Sequence, residues 1–149
     1  MWSDFKRYGQ ISPAQRSLLW EALTSLVIAR IAMACVPFRR IATWLGKPGA
    51  ESPATVTPEI ASTAESIGWA VSVLGPRVPW DGRCLAQALA AAAMLRRRGV
   101  EGTVSFGVRE GELAGFTAHA WLRVGSCVVT GGAGHEGYKA FTTFARGRL

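Results

Sequence analysis

The segment "VPWDGRCLAQALAAAAMLRRRGV", residues 78–100, constrains the fold most, because it signals both ends of one helix. Asp81 is a typical N-cap residue and Gly99 is a typical stop. Arg96 to Arg98 precede the glycine, where cations stabilise a helix C-terminus. The predicted buried face consists of apolar residues at helical spacing: Leu85, Ala88, Leu89 and Ala92. The pattern therefore predicts a helix with Cys84 in its first turn.

Alternating segments after this helix predict an antiparallel sheet. They are "VEGTVSFGVRE", "FTAHAWLRVG" and "SCVVT", with a turn before the last at Gly125 and Ser126. In the middle strand the apolar side consists of Phe116, Ala118, Ala120, Leu122 and Val124. His119 and Trp121 therefore point to the other side. A helix followed by a small antiparallel sheet predicts an α+β fold.

Three further helices are predicted upstream. The first has Pro13 in its first turn and runs to about Cys35, before Pro37; the second is "RRIATWLG"; the third runs from the N-cap Thr57 to Gly75. The predicted buried side of the first helix is Leu19, Leu23, Leu26 and Val27. The proline-rich stretch "KPGAESPATVTP" is either a linker or a loop over the surface. We expect residues 1–57 to form a helical region with this linker and residues 58–149 to form the core, packed together as one compact unit.

Composition excludes several function classes. The chain has 149 residues, 49% of them hydrophobic, which is enough for a core. Its net charge of +7 comes from scattered basic residues without the aromatic and basic interleaving of RNA-binding sheets, so we do not expect nucleic-acid binding. The three cysteines form no CxxC pair, which argues against a disulfide framework or a metal site and favours a cytoplasmic location. "GGAG" lacks the lysine of a phosphate loop, and we expect no cofactor.

The apolar run at residues 17–38 follows basic residues, as a targeting segment would. Glu21 and Arg30 interrupt it, and its longest uncharged part is too short to cross a bilayer. We expect a buried helix here, with a position on a membrane surface as the less favoured alternative.

Cys84 and His119 are candidates for nucleophilic catalysis. Unpaired N–H groups and the helix dipole stabilise a thiolate in the first turn, and Arg83 adds positive charge. A strand that crosses this end of the helix would bring His119 close enough to act as the base. The structural alternative is that Cys84 is a small buried residue and His119 a partly buried one. Trp80 and Trp121 fit either a substrate cleft or simple packing.

Three strings resemble a known family when they are taken together. "VPWDGRCLAQALAAAAMLRRRG", followed by "AHAW" and "CVVTGG", resembles the transglutaminase-like, or papain-like, leader peptidases of lasso-peptide biosynthesis. The upstream "LVIARIAMACVPFRRIATWLG" is similar to the amphipathic region of the stand-alone form. The resemblance implies a cysteine protease core with Cys84 as nucleophile at a helix N-terminus and His119 as base on a small sheet.

The resemblance also implies a substrate and partners. The reaction would release the leader from a ribosomally made precursor, and the core peptide would pass to an ATP-dependent cyclase resembling asparagine synthetase. Since this sequence shows no room for the leader-recognition domain of the fused form, we expect a separate leader-binding protein.

The sequence departs from the family at the third catalytic position. Family members usually place an Asp on the strand after the histidine, but no Asp follows Asp81 here. Thr130, a backbone carbonyl near Gly131 or the carboxylate of Glu136 could orient the ring, and position favours Thr130. His135 is interpreted as an exposed loop residue.

Two other function classes share these observations. Another Cys-His acyl transferase, of the transglutaminase or arylamine acetyltransferase type, would use the same Cys84 and His119. A catalytically impaired adaptor that holds precursor and cyclase together would explain the missing Asp.

Overall fold

The computed structural model describes residues 11–78, 84–111, 115–132 and 135–146, which contain four α-helices and a five-stranded sheet. The helices are α1 (Pro13–Cys35), α2 (Phe38–Leu45), α3 (Pro58–Leu74) and α4 (Cys84–Arg97), and the strands are β1 (Lys47–Pro48), β2 (Thr103–Gly111), β3 (Gly115–Val124), β4 (Cys127–Thr130) and β5 (Lys139–Ala145). This architecture confirms the predicted α+β class.

Local capping explains where the helices begin and end. Ser12 and Gln15 form a capping box at the start of α1, where Pro13 occupies the first turn. The Thr57 hydroxyl accepts a hydrogen bond from the Ile60 N–H at 3.4 Å and caps α3. The predicted N-cap of α4, Asp81, lies outside the described residues.

The sheet is antiparallel throughout, in the order β1-β5-β2-β3-β4. Three of its strands were predicted, whereas β1 and β5 were not. The two residues of β1 lie in the stretch interpreted as a linker or surface loop, and two residues are too few to show alternation. Through β1, this stretch pairs with β5 and becomes an edge of the sheet.

The helices pack on one face of the sheet around α4. This helix contacts α1, α3 and β3, and it is buried along most of its length. The largest fully buried apolar side chains are Leu26, Leu45, Ile67, Val71, Met94, Leu95, Val104, Leu122 and Val124. The core therefore lies between the helical layer and the side of β3 that carries Leu122 and Val124.

A polar cluster covers part of the opposite face of the sheet. The Ser52 N–H donates to the Thr103 hydroxyl at 2.8 Å, and the Arg123 guanidinium donates to the same oxygen at 3.2 Å. Both Ser52 and Thr103 are buried. These hydrogen bonds hold the segment after β1 against β2 and β3.

Arginines at the end of α4 attach the first two helices. The Arg97 and Arg98 guanidiniums pair with the Glu21 carboxylate of α1 at 3.1 and 2.7 Å. Arg96 donates to the Trp44 and Leu45 carbonyl groups at the end of α2, the second of these at 2.7 Å. Burial lowers the pKa of Arg96 to about 10.

The exposure of α1 differs from the prediction of a buried helix. Leu26 is buried and Leu19 is half-buried, but Val27 faces outward instead of inward. With a mean hydropathy of 1.6, α1 is long and apolar enough to span a membrane. The buried helices of soluble proteins and signal sequences also meet this criterion. Because α1 is apolar almost all round, its hydropathy pattern did not identify the buried face.

Candidate functional site

Strand β3 holds His119 in a half-buried position. Strand alternation places it with Trp121 on the face opposite Leu122, which packs in the core. Gly107 of β2 lies directly across the ladder from His119. The backbone of His119 is therefore held in the sheet, and its partner in the ladder, Gly107, has no side chain that would crowd the imidazole.

Aromatic side chains surround the imidazole. The Tyr138 ring centroid lies 4.9 Å from that of His119, and the Trp121 ring stacks with the imidazole at a centroid distance of 5.9 Å and an interplanar angle of 27°. A Cβ at Gly107 would lie 2.8 Å from the Trp121 ring and 3.0 Å from Tyr138 Cβ. The absence of a side chain at Gly107 thus allows both aromatic rings to approach His119.

The Gly131 carbonyl fixes the orientation of the imidazole. His119 Nε2 lies 2.7 Å from the Gly131 oxygen. Since a carbonyl oxygen only accepts, Nε2 carries the proton in this hydrogen bond. The neutral ring then keeps its lone pair on Nδ1, which is the atom that could take a proton from a nucleophile.

The backbone of Gly131 is suited to this contact. Its φ is +71°, in the left-handed region that favours glycine. A Cβ there would lie 2.5 Å from the Ala120 oxygen and 3.0 Å from Trp121 Cβ. A side chain at Gly131 would therefore displace the backbone at this contact with β3.

In the described part of the chain, neither of the other two candidates for the orienting role forms a hydrogen bond with the ring. The Thr130 hydroxyl is buried and has no hydrogen-bond partner there. Glu136 is exposed, in the short 3₁₀ turn His135–Gly137. The position-based preference for Thr130 is therefore not the contact that this structure shows.

His135 belongs to the same aromatic group instead of an exposed loop. It is half-buried, its Nδ1 lies 2.8 Å from the Gly132 oxygen, and its ring centroid lies 5.8 Å from that of Trp121. Trp121 itself is 9% exposed. The buried Trp121 ring therefore packs against both His119 and His135.

Cys84 is the first residue of α4 and is half-buried. Helix α4 packs against β3, but among the described side chains no hydrogen bond joins Cys84 to His119. The N–H groups of the first turn lack acceptors within the helix and stabilise a negative charge at that end. Trp80 and Arg83 lie outside the described residues, so their predicted roles stay predictions.

The remaining thiols give no second site. Cys35 is exposed and Cys127 is half-buried; burial, followed by the charge of Glu65, raises the pKa of Cys127. Within the described residues no group of three or more His, Cys, Asp or Glu side chains could hold a metal ion.

Sequence reasoning missed two residues of this site. Gly107 had a usable signal, because glycine inside an alternating strand indicates a close approach of other groups. Tyr138 had none, since it reaches the ring only through the path of the chain from the His135 turn into β5.

Comparison with known proteins identifies the family. The profile described as the transglutaminase-like superfamily matches residues 32–146, which include Cys84 and His119. No curated protein and no solved structure matches the chain. The matched region covers most of the sequence and all five strands of the sheet, and the chain therefore belongs to the transglutaminase-like superfamily.

Proposed function

We propose that this chain is a cysteine peptidase that removes the leader from a lasso-peptide precursor. The observation that carries the chemistry is the 2.7 Å bond from His119 Nε2 to the Gly131 oxygen, which leaves Nδ1 available as a base. Membership of a superfamily that includes Cys-His peptidases and acyltransferases supports the reaction type. The resemblance of the Cys84 and His119 strings to the leader peptidases supports the substrate.

The proposed reaction proceeds through a thioester. Nδ1 of His119 takes the Cys84 proton, and the thiolate attacks the carbonyl carbon of the scissile peptide bond. N–H groups at the start of α4 stabilise the oxyanion, and Nδ1–H gives its proton to the leaving amine of the core peptide. Water then attacks the thioester while Nδ1 takes its proton, which releases the leader carboxylate and restores the thiol.

This mechanism requires Cys84 Sγ and His119 Nδ1 to come within hydrogen-bond distance. Catalytic hydrogen bonds often form fully only in the substrate complex. The proposed separate leader-binding protein presents the precursor at this site, and a cyclase resembling asparagine synthetase consumes the product. The three free thiols are compatible with a reaction in the cytoplasm.

The test is cleavage of a precursor by the purified chain with and without the leader-binding protein. We expect slow or no cleavage by the chain alone and cleavage when the partner is added. Cys84→Ala, His119→Ala and the double variant should be equally inactive, because residues that act as one unit are not additive. His135→Ala is the matched control for removing an imidazole from the same aromatic group.

Mass spectrometry of the products separates this proposal from the alternatives. Free leader and free core peptide support the peptidase. An amine adduct on the leader would show an acyl transferase. Full activity of His119→Ala would show that His119 is not the base, and inactivity of the wild type with bound precursor and partner would favour an adaptor.

A further inference from the structure

The outer face of α1 carries a stripe of exposed side chains at helical spacing. The stripe consists of Trp20, Thr24, Val27, Ile28, Ile31 and Cys35. Trp20 is 70% exposed, Ile31 57% and Ile28 54%. Residues 20, 24, 27 and 31 repeat at intervals of four, three and four, so that they line one side of the helix. The stripe lies away from the buried Ala22 and Leu26, and the core leaves it uncovered.

An apolar groove adjoins this stripe. It has a volume of about 310 Å³ and lies between α1, α2 and α4, with Ile28, Val36, Trp44 and Ala93 among its lining residues. Ile28 belongs to both features, which makes the groove continuous with the stripe. Together they form one apolar surface with a raised helical edge and a concave side.

The exposed charged side chains of residues 11–46 are all basic. Residues 11–46 contain four arginines, Arg16, Arg30, Arg39 and Arg40, and all four are exposed. Glu21 is their only acidic residue, and its carboxylate is already paired with Arg97 and Arg98. Arg40 lines the groove directly. The surface is therefore apolar at its centre and positively charged at its margin.

These features favour one kind of occupant. A second copy of the chain would bring the same arginines face to face, which opposes association. A bilayer surface would cover the stripe but would not fill a concave groove. An α-helix matches both, because its side chains at three and four residue intervals interlock with the stripe and reach into the groove.

We propose that the stripe and groove of α1, α2 and α4 bind an amphipathic helix of a protein partner, with acidic residues beside its apolar face. Apolar side chains of that helix pack on Ile28 and Ile31, and its carboxylates face Arg30 and Arg40. The stripe from Trp20 to Cys35 is about 22 Å long at the usual helical rise, which accommodates four turns of the partner. This surface is independent of the proposed peptidase activity.

The probe for the test is a labelled peptide of about three heptads with Leu at the a and d positions and Glu at e and g. Fluorescence anisotropy measures its binding to the full chain. The comparison peptide carries Lys in place of Glu. We expect the acidic peptide to bind at least about tenfold more tightly than the basic one, with an affinity that falls as salt rises.

Two pairs of variants locate the binding surface. Ile28→Ser and Arg40→Gln should each weaken binding several-fold. Phe141→Ser and Lys139→Gln likewise replace one apolar and one basic side chain with a neutral polar one, at exposed positions on β5, and should bind like the wild type. Circular dichroism checks that all four variants keep the fold.

Several results would overturn the proposal. They are failure of the acidic peptide to bind, equal affinities for the acidic and basic peptides, or an equal loss of peptide affinity in the helix variants and in the β5 variants. Flotation with phosphatidylserine vesicles in the absence of peptide binding would assign the surface to a membrane. A dimer in sedimentation that Ile28→Ser dissolves would assign it to a second copy. Leader cleavage is measured separately, so failure here leaves the proposed peptidase activity untouched.

Discussion

Replacing Gly131 with alanine tests the contact that orients His119. A left-handed backbone costs a non-glycine residue about 1–2 kcal/mol. The added Cβ would also lie 2.5 Å from the Ala120 oxygen, a backbone atom that cannot rotate away, and overpacking of this kind costs about 1–3 kcal/mol. We therefore expect Gly131→Ala to lower the free energy of unfolding by about 2–5 kcal/mol, or Tm by about 4–20 °C.

Gly132→Ala is the matched control. A Cβ at Gly132 would meet nothing closer than a Val128 methyl group at 3.4 Å, and its φ is not in the left-handed region. Urea unfolding followed by far-UV circular dichroism gives the free energy for both variants. We expect Gly132→Ala to stay within about 0.5 kcal/mol of the wild type.

A second measurement separates loss of the His119 contact from general destabilisation. Imidazole ¹⁵N shifts report which ring nitrogen carries the proton. We expect the wild type to show the Nε2–H form and the folded Gly131→Ala variant to show a mixture of the two neutral forms. If the two glycine variants were equally stable and both kept the Nε2–H form, the assigned role of the Gly131 carbonyl would be wrong.

Other predictions concern packing around the ring and between the helices. Gly107→Ala should lower stability by about 1–3 kcal/mol in thermal unfolding, because Trp121 is buried and cannot move away; unchanged stability would contradict this. Arg96→Ala should cost about 2–3 kcal/mol in urea unfolding through the lost carbonyl hydrogen bonds, and Arg96→Lys should recover only part, because an ammonium lacks the guanidinium fork. The hydrogen bond from Arg98 lowers the pKa of Glu21 below its ordinary 4.5, so Glu21→Gln should cost up to about 1 kcal/mol at neutral pH. That difference should disappear as pH falls below 4.5 through the lowered pKa, as measured by urea unfolding at successive pH values; a difference that persisted in acid would contradict the ion pair.

The helix boundaries were predictable because their signals are local. Pro13 and Thr57 mark helix starts through the atoms of the first turn alone, and Gly99 marks a stop through its own φ of +70°. The Cys84 and His119 strings likewise indicated the superfamily that the profile confirms.

The features that the sequence did not predict depend on distant partners. Strand β1 exists only because Lys47 and Pro48 pair with Ala145 and Phe144 of β5. The buried face of α1 could not be read from Val27, because apolar residues occur on both sides of that helix. Its exposed face follows from where α3 and α4 pack.

His119 contacts the Gly131 carbonyl, and not the Thr130 hydroxyl that its position favoured, for an identifiable reason. The ladder between β3 and β4 shifts register: Arg123 pairs with Val128, but Leu122 pairs with Thr130. Without that bulge, Thr130 would lie across from Trp121 and share the face of His119. The extra residue turns Thr130 to the side of Leu122, where its hydroxyl is buried without a partner in the described part of the chain.

Thr130→Val tests this account directly. Valine keeps the shape of the side chain and removes a buried hydroxyl that lacks a hydrogen bond, so the free energy of unfolding should rise by about 1 kcal/mol in urea unfolding. The imidazole ¹⁵N shifts of His119 should not change, because the Gly131 carbonyl remains in place. A loss of stability together with a changed His119 tautomer would show that Thr130, not the carbonyl, holds the ring. The carbonyl can fix the tautomer but carries no net charge, so the imidazolium formed during proton transfer receives less stabilisation here than a carboxylate would give.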